Sequence, residues 1–225
     1  MPVLALVLLF MSASMHALWN FLLKSAEEKY IAMGWQVIFS GIFAIVVVLA
    51  VGLPPRELRG VAFVSMLLEA IYFILLCIAY SDHDFSLVYP IARGAAPALL
   101  VLWSAIFLRE QLTVGGYVGL AMITGGIITI GATTLLQNHE EKPHLKGILI
   151  ALAVAFMISV YTFVDGLAVR QGPALQYGVS MFVMIPFVTT PYVTQKYGWS
   201  HFAGMWRQKR GYILAGGALG LVAYL

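Results

Sequence analysis

Charge is what this chain has least of. Asp, Glu, Lys and Arg make up 10% of its 225 residues, against roughly 25% in an ordinary soluble domain. A water-facing surface needs that charge, and one soluble core of this size cannot hide so much apolar surface. A soluble globular fold is excluded by composition. Cysteine is nearly absent as well. The one thiol, Cys77, lies inside an apolar run, so an intrachain disulfide is impossible and the redox compartment leaves no mark. The sequence also lacks a phosphate loop, a Gly-x-Ser-x-Gly elbow, a His-Glu-x-x-His pair and paired-cysteine metal ligands. The common enzyme and metal-centre signatures are therefore missing, and no catalytic residue, cofactor or metal is expected. Basic residues outnumber acidic ones by 13 to 10, but they sit in connectors and form no stripe for nucleic acid.

What is present is apolar length. Hydrophobic residues reach 61% and the mean hydropathy is +0.91. A helix needs about 20 apolar residues to cross a bilayer. By that measure spans are predicted at 3–23, 31–51, 60–80, 85–108, 113–135, 147–169 and 174–194. An eighth starts near Gly211 and reaches Leu225 after about 15 residues, so the sequence reads as cut off inside a helix. The first segment lacks a basic leader, and Ser12, Ser14, His16 and Asn20 interrupt its apolar run. It reads as a span and not as a signal peptide. Pro54-Pro55, Asp82-His83-Asp84 and the polar stretch Gln137 to Lys146 separate spans. Connectors this short predict consecutive helices lying side by side and antiparallel. The fold class is thus an all-α, polytopic membrane protein.

A weak internal repeat is visible. Ser14-Met-His-Ala-Leu-Trp-Asn20 can be laid over Ser159-Val-Tyr-Thr-Phe-Val-Asp165, and Arg59-Gly60 over Arg210-Gly211. The implied units are a first five-helix repeat over 1–135 and an incomplete second over 147–225. Five is odd, so the second copy enters from the opposite side, a device recurrent in secondary transporters.

Polar residues at membrane depth carry the remaining information, because each costs several kcal/mol unless partnered or wetted. Ser12, His16 and Asn20 recur every four residues on the first helix, with Trp19 beside them. They either line a pathway or hydrogen-bond to neighbouring helices. Glu69 falls near the middle of the third span, with Ser65 and Tyr72 on its face. Tyr89, Arg93 and Pro97 share a face of the fourth, where Pro90 and Pro97 free backbone carbonyls. A guanidinium cannot neutralise itself by losing a proton, so Arg93 requires an anion: Glu69, a substrate, or each in turn. At 1.5 Å per residue, Glu69 and Arg93 are expected at depths about 6 Å apart. Tyr161 and Asp165 are four apart on the sixth helix, and Asp165 is either a site residue or a carboxylate that snorkels at the helix end. Asp82-His83-Asp84 and His139 to His144 read as solvated loops, and Arg109-Glu110 as a helix end. Gly115 and Gly119, and again Gly216 and Gly220, are small-xxx-small pairs predicting close helix packing.

Three runs together resemble a known family. His16-Ala-Leu-Trp-Asn20, Tyr89-Pro-Ile-Ala-Arg-Gly-Ala-Ala-Pro97 and Phe107-Leu-Arg-Glu-Gln-Leu112, leading into a glycine-rich fifth helix, are similar to the EamA-like branch of the drug/metabolite transporter superfamily. Gly119-Leu-Ala-Met-Ile-Thr-Gly-Gly-Ile127 resembles the last-helix pattern of the related small multidrug transporters. The likeness covers the first five helices well and the sixth and seventh loosely. The first two runs also resemble permeases associated with phosphonate utilisation, which suits an arginine-lined site, since guanidinium grips such oxyanions bidentately.

The resemblance implies ten helices in two inverted halves, a central substrate cavity and export or exchange of metabolites. The expected function is a secondary transporter moving a small polar or anionic metabolite by alternating access. The alternative is a structural or regulatory membrane subunit without transport. The substrate is expected to meet His16, Trp19, Asn20, Glu69, Tyr72, Tyr89, Arg93, Tyr161 and Asp165. Expected partners are the bilayer and a small molecule, with a homodimer left open, in the plasma (cell inner) membrane. The family places both termini in the cytoplasm, which leaves Arg56, Arg59, Arg109 and Arg170 inside. Lys24, Lys29, Lys142, Lys146, Lys196, Arg207, Lys209 and Arg210 then fall outside. That runs against the positive-inside rule, so the orientation stays open.

Overall fold

The structure, a computed structural model, describes residues 3–137 and 143–224. Among them the chain forms eight α-helices: α1 Val3–Ser25, α2 Lys29–Val51, α3 Arg56–Asp82, α4 Phe85–Trp103, α5 Val114–Gln137, α6 Pro143–Val169, α7 Ala174–Tyr197 and α8 Trp199–Tyr224. No strand occurs among the described residues. Six helices are long and apolar enough to cross a membrane: α1, α2, α3, α4 with its extension to Leu108, α6 and α7. The chain is an all-α, multi-pass membrane protein.

Helix ends follow local chemistry. Gly52 closes α2 at φ 85° and Gly198 closes α7 at φ 81°, a left-handed region that favours glycine. Asp82-His83-Asp84 separates α3 from α4. Past Trp103 the helix widens into a π-helical turn, Ser104–Leu108, that ends at Arg109 with φ 55°. The Ser104 carbonyl accepts both the Arg109 and the Glu110 N–H, so Arg109-Glu110 is indeed a helix end. The expected eighth span needs correction. α8 begins at Trp199, and its backbone leaves helical geometry at Lys209. Hydropathy alone found only the part beyond this kink, because Trp199–Arg210 carries charged and aromatic residues together.

The helices group into two compact units, Met1–Ala70 with Ala168–Leu225, and Ile71–Leu167. Each draws on both of the sequence halves expected from the repeat.

In the first unit α2 packs chiefly on α7 and α8, and α1 on α8. The expected side-by-side packing of consecutive helices is not where α2 makes its closest approaches. Small residues set those. A side chain at Gly34 would begin 2.8 Å from the Phe202 ring, and one at Gly41 would meet Pro186 and the Phe182 carbonyl. Gly216 and Gly217 admit Gln36 and Phe39, and Gly220 admits the Trp19 indole. In lipid such packing replaces the hydrophobic effect as the force between helices. The same interface carries hydrogen bonds from Ser40 Oγ to the Gly217 carbonyl (2.7 Å) and from Ser12 Oγ to the Ala223 carbonyl (2.6 Å). An aromatic stack of Trp35, Phe39, Phe202 and Trp206 closes one end, with Trp35 and Phe202 nearly parallel at 4.7 Å.

In the second unit α4 packs on α5, with Gly94 directly under Ile127. Trp103 ties α4 to α6 by donating to Ser159 Oγ at 3.0 Å. The Gly115–Gly119 expectation fails here, since nothing lies within 4 Å of a side chain built at either position.

Candidate functional site

The second unit gathers three of the expected residues from three helices. α4 is apolar, yet it carries Arg93 between Pro90 and Pro97. Pro97 has no N–H, so the Arg93 carbonyl loses its usual partner four residues on. Arg93 Nη2 donates to Tyr72 Oη on α3 at 3.4 Å. The Tyr72 ring in turn meets the Tyr161 ring of α6, with centroids 5.5 Å apart and planes tilted by 55°. Tyr72 is fully buried and Tyr161 nearly so, while Arg93 is half-buried. The result is a guanidinium held at a cluster of phenols within spanning helices. Such a group presents several fixed N–H donors to an oxyanion, and the phenols add donors of their own.

The neighbouring positions extend this cluster. Tyr89 lies one turn before Arg93 and stacks on Phe85 at 4.8 Å. Phe85 packs edge-on against the buried Tyr80 of α3 at 5.1 Å. Asp165 follows Tyr161 by one turn on α6 and is half-buried.

The remaining expected residues belong to the first unit. Trp19 and Asn20 are buried on α1, and His16 is half-buried. Asn20 Nδ2 donates back to the His16 carbonyl at 2.7 Å, and Trp19 packs at Gly220 of α8. Glu69 is fully buried on α3, one turn before Tyr72. Among the described residues no group of three His, Cys, Asp or Glu could hold a metal ion. Of the two loop stretches, His83 packs 3.2 Å from where a Gly147 side chain would start, so it is less solvated than expected. Residues 138–142 lie outside the described residues, as do the side chains of Pro143 and His144.

Sequence reasoning passed over Gln36 and Ser40, four apart and buried on α2. Two polar residues at that spacing in an otherwise apolar helix were the available signal. It also passed over Trp103 and Ser159, whose pairing depends on how α4 and α6 register against each other.

No protein family and no curated protein matches the chain. A solved structure described as "Crystal structure of protein" superposes on 97% of this chain and 77% of its own with a TM-score of 0.64, at 18% sequence identity. At that identity the likeness establishes a shared fold.

Proposed function

We propose that this protein is a secondary transporter of the EamA-like drug/metabolite type, moving a small polar or anionic metabolite by alternating access. One observation carries the reading: Arg93 sits in a membrane-spanning helix with its guanidinium at the Tyr72 phenol. An ionisable residue there is costly and is a mark of a transport pathway. In this reading Arg93 binds the oxyanion of the substrate, Tyr72 orients the guanidinium, and Tyr161 and Tyr89 shape the contact. Glu69, one turn before Tyr72 on the same helix, is the proton carrier, which couples transport to protonation. Asp165, one turn after Tyr161 on α6, adds a carboxylate to this cluster. The order of the three family-like runs supports the same reading, and Pro97 frees the Arg93 carbonyl inside α4.

Flux into proteoliposomes tests it, using a panel of carboxylates, phosphonates and neutral metabolites with and without a proton gradient. Saturable movement of an anion that disappears in Arg93→Lys is the expected result. Absence of flux for every class would leave the structural-subunit reading in its place, and equal flux in Arg93→Lys would remove Arg93 from the substrate site.

A further inference from the structure

A groove lies elsewhere on the first unit, lined by none of the residues expected to meet the substrate. The last turns of α2, the first turns of α3 and the middle of α7 enclose a groove of about 220 Å³. Its walls include Ile45, Val48, Leu49, Leu53 and Met184, and Arg59 is the only charged residue among them. We propose that this groove holds an acyl chain of an anionic phospholipid whose phosphate is gripped by Arg59. The proposal does not depend on the transport reading.

Four features argue for that occupant. The groove is apolar and open: Leu49 is 82% exposed and Leu53 55%, so in a membrane-spanning chain its mouth meets lipid. It lies where α2 ends and α3 begins, the level of a span at which headgroups sit. Arg59 is exposed, and its Nε donates to the Pro54 carbonyl at 3.0 Å. That bond orients the guanidinium and leaves the two terminal nitrogens as a fork matched to phosphate. Arg56, exposed on the first turn of α3, adds a second positive charge, and Glu57 between them is not a groove residue.

Native mass spectrometry of the detergent-purified protein, titrated with phosphatidylglycerol or phosphatidylcholine of equal acyl length, tests the assignment. Wild type should favour the anionic lipid. Arg59→Gln should weaken phosphatidylglycerol about fivefold, the effect of one basic residue near a lipid headgroup, and weaken phosphatidylcholine less, because its choline already offsets the phosphate charge. Ile45→Trp, which fills the groove, should weaken both. Arg59 is exposed, so its variant keeps the question decidable even if Ile45→Trp misfolds. Equal affinity of wild type for the two lipids would overturn the proposal, as would undiminished phosphatidylglycerol binding by Arg59→Gln. Full competition by glycerol phosphate would reduce the site to a bare anion site and overturn the acyl-chain assignment.

Discussion

Arg93 and Tyr72 form a pair whose members do different work, and substitutions should separate them. Arg93→Lys keeps the charge but loses the planar fork. The variant should fold like wild type and lose at least about tenfold in anion flux, the loss of a bidentate contact. Tyr72→Phe removes only the phenol at 3.4 Å, a long hydrogen bond. A loss of about two- to fivefold is expected, in line with roughly 0.5–1 kcal/mol, and flux assays on both variants at matched protein loading measure the contrast. Glu69→Gln removes the proposed proton carrier without changing shape, so flux should lose its dependence on pH. Wild-type pH dependence in that variant would remove Glu69 from the mechanism. At this scale the sequence was most informative where one helix sufficed. Tyr89 and Arg93 share a face by spacing alone, and so do Glu69 and Tyr72. Tyr161 and Tyr72 were expected at one site, but spacing alone does not encode their ring contact, which depends on how α6 is rotated against α3.

At the scale of elements, the glycines divide into those that are filled against and those that are not. Gly216 and Gly115 each belong to a small-xxx-small pair, and the sequence treats them alike. The structure does not. Gly216 is occupied by the Gln36 amide of α2, whereas nothing lies within 4 Å of a side chain at Gly115. Gly216→Leu should therefore cost about 1–3 kcal/mol through forced displacement of α2 from α8. Gly115→Ala should be neutral or slightly stabilising, since alanine is the better helix former. Thermal unfolding of both variants in one detergent compares them, and an equal loss in each would contradict the α2–α8 packing described here. Span positions were legible because they depend on apolar length and on Pro and Asp punctuation, which are local. The α8 start was not, because Trp199–Arg210 is amphipathic and falls below a hydropathy threshold while still folding as helix. The π-helical turn at Ser104–Leu108 was also invisible, since it follows from how the Ser104 carbonyl is shared at the helix end.

For the whole molecule, the claim with most consequence is that α2 crosses the membrane, placing the α1–α2 connector and the α2–α3 connector on opposite sides. Length and hydropathy support this, at 23 residues with a mean hydropathy of 2.3. Ends of the helix differ in chemistry as well. Glu27 and Glu28 at one end pair with Lys209 (3.3 Å) and His201 (2.8 Å) of α8, whereas Pro54, Pro55 and Arg56 cluster at the other. The lone thiol makes a direct test simple. Cys77 is fully buried, so a membrane-impermeant maleimide should leave wild type unlabelled and no background cysteine need be removed. Ser25→Cys and Pro55→Cys each place one thiol at an exposed position at either end of α2. In intact cells one of the two should label and the other should label only after permeabilisation. Which of them labels first also decides the orientation, where the seven spans expected from the sequence put eight basic residues on the α1–α2 side against four on the other. Labelling of the α2–α3 connector from outside would place the basic side in the cytoplasm, as the positive-inside rule requires. Labelling of the α1–α2 connector would instead favour the family topology with an inverted charge balance. Labelling of both without permeabilisation would show that α2 does not span, and the multi-pass arrangement would fail at that helix.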